Sequence, residues 1–396
     1  MKPLLLSAYT ITNALGRGNA AMLGALIERR SGLRPCDFAG ADLDTWIGRV
    51  AGLEQRPVEG RLAAFDCRNN RLAALALEQD GFASAVGAAR ARYGAHRIGV
   101  FLGTSTSGIR ATEQAYGNRD DAGGLPADFR FRTTHDTFSL ADFVARTLEV
   151  GGPVLIVSTA CSSSAKVFAS AYRHMGAGLC DAAIVGGVDS LCLMTLYGFG
   201  SLGLVSPQPC RPWDVGRSGI SLGEGAGFAL LEWPAPGAAG VALTGYGESS
   251  DAHHMSTPHP EGRGAALAMS RALERAGLSC GDVDYINLHG TGTIANDCSE
   301  DRALQRVFGS SVPCSSTKGW TGHTLGAAGI TEAVLCCLCL ENGLVPGSLN
   351  TDELDPSLSS AVVLDNRRAP LRRVMSNSFG FGGSNCSLVL ASPDAP

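Results

Sequence analysis

Cys161 stands in the run Ser158-Thr159-Ala160-Cys161-Ser162-Ser163-Ser164, directly after an apolar stretch and at the head of a segment with helical spacing. A sulfur at such a junction meets unpaired backbone N–H groups and the positive end of a helix dipole. Both favour the thiolate, the nucleophilic form. Small neighbours leave room for a substrate, and the same N–H groups could hold an oxyanion. The alternative is a buried core cysteine.

Other groups could complete such a site. His289, in Asn287-Leu288-His289-Gly290-Thr291-Gly292-Thr293, ends a strand-like run and would face a cleft at a sheet's carboxyl edge. Its other reading is a turn histidine bonded to backbone. Lys318 and His323 share Ser316-Thr317-Lys318-Gly319-Trp320-Thr321-Gly322-His323, and Lys318 is one of only three lysines in the chain. Glu332 could pair with Lys318, because a buried cation needs a partner. Alternatively, it is a carboxylate near a helix N-terminus. In Gly380-Phe381-Gly382-Gly383, glycines flank an aromatic plug, which reads as a gate with an oxyanion-binding N–H or as a bulge before a last strand. The remaining histidines lack the regular spacing of metal ligands.

These residues need elements to position them. Short apolar runs predict strands at 98–102, 154–157, 183–185, 228–231, 241–243, 285–288, 362–364 and 388–390. Spaced apolar and charged positions predict helices at 19–30, 68–93, 163–176, 264–276, 299–308 and 331–341. The alternation indicates an α/β fold with buried sheets. The halves also look alike. Each has a strand running into a small-residue segment, around Cys161 and around Lys318, and each later has a Gly-rich turn entering an apolar strand. This suggests duplication, with halves at 1–235 and 236–396 and Lys318 occupying the place of Cys161. The two junctions would then meet near a common pseudo-twofold axis. Residues 114–136 read as an excursion from the first half.

With 396 residues, 45% apolar and 17% charged, the chain is long enough for two sizeable cores. A net charge of −5 argues against binding nucleic acid. Thirteen cysteines show no zinc or disulfide framework, so reduced thiols and a cytoplasmic location are expected. The apolar N-terminal run breaks before signal-peptide length, and no long charge-free apolar stretch predicts a membrane span.

Several motifs occur in a fixed order: Ser158-Thr-Ala-Cys161, Arg211-Pro-Trp-Asp214, Gly223-Glu-Gly-Ala-Gly227, Ser250-Asp-Ala-His-His-Met255, His289-Gly-Thr-Gly-Thr293, Ser316–His323, Gly326-Ala-Ala-Gly329 and Asn377-Ser-Phe-Gly-Phe-Gly-Gly383. Over nearly its whole length the chain resembles the elongating (type I and II) β-ketoacyl-acyl-carrier-protein synthases of the thiolase-fold superfamily. The resemblance implies a five-layered α-β-α-β-α fold of two duplicated halves and a decarboxylative Claisen condensation. Cys161 would carry the acyl group, and His289 and His323 would hold the malonyl thioester carbonyl. The N–H groups of Cys161 and Phe381 would hold the second oxyanion, with Lys318 and Glu332 supporting the histidines.

By the same likeness, Thr291, Thr293 and Ser256 would bond the phosphopantetheine arm, Phe381 would gate the acyl pocket and Thr106 would lie at its floor. Arg68 and Arg71 resemble carrier-docking residues, with a solvated helix start as the alternative. A dimer is implied, either of identical chains or with a related subunit, and no metal or organic cofactor, since the carrier brings the thioester. Cys-His-His separates the chain from type III synthases, expected to show Asn in place of His323, and from thiolases, whose second cysteine sits in a context unlike that of Cys386. A non-catalytic chain-length-factor-like subunit, or an enzyme active only as a heterodimer, is the competing reading. Ser162-Ser163-Ser164 looks polyketide-like, and residues 114–147 match housekeeping fatty-acid enzymes poorly. Both fatty acids and a specialised polyketide or polyene therefore stay open as products.

Overall fold

Ten strands set the positions of the candidate groups in the computed structural model, which describes residues 1–393 and 395. They are β1 (Leu4–Asn13), β2 (Ile98–Gly103), β3 (Val154–Val157), β4 (Ala182–Asp189), β5 (Gly225–Glu232), β6 (Ala242–Ser250), β7 (Tyr285–Asn287), β8 (Cys314–Ser315), β9 (Arg373–Gly380) and β10 (Ser384–Ala391). The first five lie in the order β1-β5-β4-β2-β3 and the last five in the order β6-β10-β9-β7-β8. In each set the pairs at the far end are parallel and the pairs nearer the middle antiparallel. The same topology therefore occurs twice. β1 and β6 join the two sets, pairing Leu4 with Leu243 and Leu5 with Ala242.

Helices complete the layers. On the outer face of the first sheet lie α1 (Arg68–Leu77), α2 (Phe82–Tyr93) and α3 (Phe138–Leu148). α4 (Ser163–Gly176) is central, and α5 (Leu193–Ser201) follows β4. α6 (Arg263–Ala276) and α7 (Ile294–Phe308) cover the second sheet, and α8 (Ala328–Asn342) packs on α4 between the sheets. The result is the five-layered thiolase-like fold. Sandwiched on all sides, α8 is apolar round most of its surface apart from Thr331 and Glu332, and every residue from Ala328 to Leu340 is buried. Length and composition alone would let the stretch Leu325–Asn342 cross a membrane, but it is a core element here. Cys336 and Cys339, a Cys-x-x-Cys spacing overlooked in the sequence, are buried on it as free thiols.

Several expectations need correction. Residues 68–93 form two helices, because Asp80 and Gly81 take positive φ values of 54° and 68° and break the ladder. Residues 362–364 make only an isolated bridge, from Val362 to Cys314. β1 and β9 were missed. β9 carries Ser376, Asn377 and Ser378, all buried, so no apolar run announces it.

Candidate active site

The candidate nucleophile, Cys161, sits on a strained elbow. Ala160 has φ 50°, an uncommon conformation for a residue with a Cβ, and it turns the chain from β3 into α4. The serines around Cys161 hold that turn. Ser163 Oγ accepts from Thr159 N–H at 2.9 Å and donates to Ala160 O, while Ser162 Oγ donates to Thr159 O at 2.9 Å. Ser164 Oγ accepts from Ile330 N–H at 3.0 Å and ties α4 to α8. The serine run is therefore structural.

Cys161 is 4% exposed, with its Sγ 3.0 Å from His323 Nε2. The Phe381 N–H also hydrogen-bonds the sulfur. Burial pushes the thiol up to about 11, although the Lys318 charge pulls it back. Desolvation outweighs the helix dipole, so the resting group is a thiol rather than the expected thiolate.

Lys318 Nζ donates to Glu332 Oε1 and to His289 O, and it lies 3.5 Å from His289 Nδ1. Burial and then the Lys318 charge hold His289 and His323 well below the ordinary imidazole range, so both rings are neutral. Their tautomers follow from their neighbours. An ammonium can only donate, so His289 Nδ1 accepts; Leu325 N–H donates to His323 Nδ1 at 3.3 Å. Each Nε2 then carries the hydrogen. Two neutral N–H donors, with ring centroids 5.4 Å apart, share one cleft with the thiol. Thiol and imidazole donor atoms also lie within 4.8 Å of one another, as metal ligands would. The Lys318 charge directly behind His289 opposes a second cation there.

The expected equivalence of Lys318 and Cys161 needs amending. Cys161 leads directly into α4, but Lys318 opens a four-residue helix, Lys318–Thr321, and the packed counterpart of α4 is α8, which begins later. The intervening loop carries His323. Its backbone is fixed by His323 N–H to Ser221 O at 2.7 Å and Gly223 N–H to His323 O at 2.9 Å.

The cleft has about 180 Å³ of room and brings Thr291, Thr293 and Ser256 together with Cys161, His289, His323 and Phe381. Thr293 also caps α7 by accepting Asn296 N–H at 3.3 Å. The Phe381 ring leans on Phe199 of α5, centroids 5.5 Å apart, so the aromatic plug has a partner the sequence reading did not name. Glu300 was missed too. It accepts the N–H groups of His289 and Gly290, each at 2.8 Å, and burial raises it to about 7.

Thr106 is buried outside this cleft, with its hydroxyl on Asp189 at 2.9 Å. One assignment fails. Arg68 is unavailable for docking, because its 8%-exposed side chain pairs with Glu54 and the fully buried Glu224. The Glu224 carboxylate also accepts from Val50 and Leu191 N–H, and its charge needs a cation. Arg71 pairs with Asp66 at 2.6 Å and stays partly exposed.

The model of the β-ketoacyl synthase N-terminal domain matches residues 69–234, and that of the C-terminal domain matches 241–352. Nodulation protein E of Rhizobium meliloti strain 1021 is 38% identical over 303 residues, 74% of this chain and 75% of that one. The 3-oxoacyl-[acyl-carrier-protein] synthase 2 of Vibrio harveyi is 35% identical over 316 residues, 74% of this chain and 75% of that one. Among solved structures, a ketosynthase from Xenorhabdus doucetiae in complex with its chain length factor aligns with a TM-score of 0.90. That alignment is 39% identical and covers 99% of this chain and 98% of that one.

Proposed function

This chain belongs to the β-ketoacyl synthase family, and from that premise we propose how it acts as a condensing acyltransferase and with whom. The observation that carries the reading is His323 Nε2 at 3.0 Å from Cys161 Sγ, beside a second neutral imidazole. Cys161 sulfur attacks the thioester of an acyl carrier protein, forming a new C–S bond as the old one breaks, and the thiol proton ends on the departing carrier thiol. Thr291, Thr293 and Ser256 bond the pantetheine arm.

Malonyl carrier protein then binds with its thioester carbonyl oxygen between the two Nε2–H groups. Carbon dioxide leaves, and the electron pair of the broken C–C bond flows into an enolate whose oxygen those donors hold. The enolate carbon attacks the acyl carbonyl on Cys161. The N–H groups of Cys161 and Phe381 receive the oxyanion until the C–S bond breaks, and the thiolate takes up a proton. Neutral imidazoles suit this role, because they donate without losing a proton to the enolate. Burial, helped by the Lys318 charge, keeps them neutral. The chemistry calls on no group beyond the carrier's pantetheine.

We place the chain in a dissociated elongation pathway of the cytoplasm, paired with a related, chain-length-factor-like subunit. Support comes from the whole-chain similarity to a ketosynthase whose solved form includes its chain length factor. Fatty-acid elongation by a homodimer is the second reading, supported by the similarity to synthase 2 of Vibrio harveyi. Intact-mass spectrometry with acyl and malonyl carrier proteins tests both. The wild type, with or without partner, should gain one acyl group and release 3-oxoacyl carrier protein, and Cys161→Ala should do neither. Condensation by the protein alone favours the homodimer, and condensation only with partner favours the heterodimer. No acylation under either condition sinks the catalytic reading.

A further inference from the structure

Asp189 ends β4, is fully buried, and has no Lys, Arg or His partner among the described residues. Six donors converge on its carboxylate instead. Oδ1 accepts from Thr104 Oγ1 at 2.7 Å, Ser105 N–H at 2.8 Å, and Thr106 N–H and Oγ1 at 2.9 Å each. Oδ2 accepts from Ser105 Oγ and from Gly326 N–H at 2.5 Å. Five of the six come from the loop after β2, in the first half. The sixth comes from the second half, just beyond His323. Gly326 is held so closely that a Cβ there would lie 2.7 Å from Asp189 Oδ2 and 2.8 Å from Ser105 N.

Between His323 and Gly326 the chain is strained. Leu325 has φ 53°, a left-handed conformation that is unfavourable for a residue with a Cβ. Such a conformation persists only where the surroundings enforce it. Leu325 is also the residue whose N–H occupies His323 Nδ1. The turn that fixes the His323 tautomer is thus anchored on its far side by a carboxylate from the other half.

We propose that Asp189 is a positioning residue for His323: by holding Gly326 N–H across the seam, it keeps Leu325 in its left-handed turn and His323 in the tautomer that presents Nε2–H to the cleft. This rests on the reading of His323 as a hydrogen-bond donor in the condensation. The competing role is a local one, in which Asp189 only staples residues 104–106.

Asp189→Asn separates the two roles. Its amide oxygen replaces Oδ1, which serves four donors, and its NH₂ then opposes Gly326 N–H, donor against donor. Ser105→Ala is the control; it removes a hydroxyl from the same carboxylate oxygen and leaves the Gly326 contact. The tautomer is read by long-range ¹H–¹⁵N NMR on histidine-labelled, substrate-free protein, with His323 assigned by its loss in His323→Asn. The wild type and Ser105→Ala should show one tautomer with Nδ1 unprotonated, and Asp189→Asn a mixture. Misplacing a reacting group costs about tenfold to a hundredfold, so kcat for 3-oxoacyl formation should fall by at least about tenfold in Asp189→Asn. KM for malonyl carrier protein should stay within about twofold.

The proposal is overturned if wild-type His323 carries its hydrogen on Nδ1, or if Asp189→Asn keeps the wild-type tautomer and kcat. It is also overturned if both variants change both readouts alike. Should Asp189→Asn fail to fold, amide exchange in the wild type decides: Leu325 and Gly326 N–H must exchange slowly, and fast exchange at either overturns the proposal. A wild type with the expected tautomer that neither acylates nor condenses would sink the functional reading instead.

Discussion

The two strand-to-helix junctions share a topology and differ in their electrostatics. In the first half, β3 turns into α4 within a few residues, and Cys161, the proposed nucleophile, sits on the turn. Its polar groups are satisfied by serine hydroxyls and backbone, with no ion pair among the described residues. In the second half the chain makes a detour between β8 and α8, and the detour carries a buried cation, Lys318, and the His323 imidazole. Each ion taken out of water costs several kcal/mol, repaid only when it is well paired. Lys318 meets that condition through Glu332 and His289 O. Duplication thus supplies two converging junctions, one neutral and compact for the thiol and one charged for the donors.

The largest effect should come from the neutral side. Cys161→Ala should lower 3-oxoacyl formation by at least about a thousandfold, because removing a nucleophile disables the whole set. The Tm should fall only slightly, since the change removes a single sulfur that borders the open cleft. A large fall in Tm would mean that Cys161 is a structural residue instead. On the charged side the expected loss is in stability. Lys318→Ala leaves Glu332 buried without its partner and should destabilise by about 3–5 kcal/mol in urea unfolding. Arg68→Ala should cost a similar amount through the stranded Glu224. A change under about 1 kcal/mol in either would show that water reaches the carboxylate.

pH separates the junctions further. With the Cys161 thiol near 11, the protonated form dominates at pH 7, and the reactive thiolate grows about tenfold per pH unit below that value. Iodoacetamide labelling of Cys161 should therefore climb from pH 7 to 10 without a plateau. The depressed imidazoles stay neutral throughout, so no step is expected near pH 6.5. A plateau by pH 8 would reveal a thiolate–imidazolium pair and erase the contrast. Lys318→Met should slow labelling at a given pH, because Lys318 lowers the thiol's pKa.

What the sequence disclosed follows the same division. Cys161, His289, Lys318, His323 and Glu332 were legible because their motifs lie beside apolar runs or Gly-rich turns, where residue type and spacing carry a signal. Asp189 and Glu300 were not, since a carboxylate ending a strand or starting a helix looks like a solvated group until its donors come from distant residues. β9 was illegible because three polar residues, Ser376, Asn377 and Ser378, interrupt its buried Val374, Met375 and Phe379, and no apolar periodicity survives. Arg68 misled for the opposite reason. A basic residue opening a helix looks exposed, and only the fold shows Glu224 beneath it.

The smallest effect is expected at Arg71, which tests whether the first half also offers charge outward. Its pair with Asp66 has both side chains about a quarter exposed, at 23% and 27%. Such pairs contribute no more than about 1 kcal/mol, so Arg71→Ala should leave unfolding nearly unchanged. If Arg71 meets an acidic carrier protein, KM for acyl carrier protein should rise several-fold and kcat should hold. That rise should shrink at high salt, where exposed charges are screened. A salt-independent KM equal to that of the wild type would leave Arg71 no part in carrier docking, which would then belong to another face of the protein.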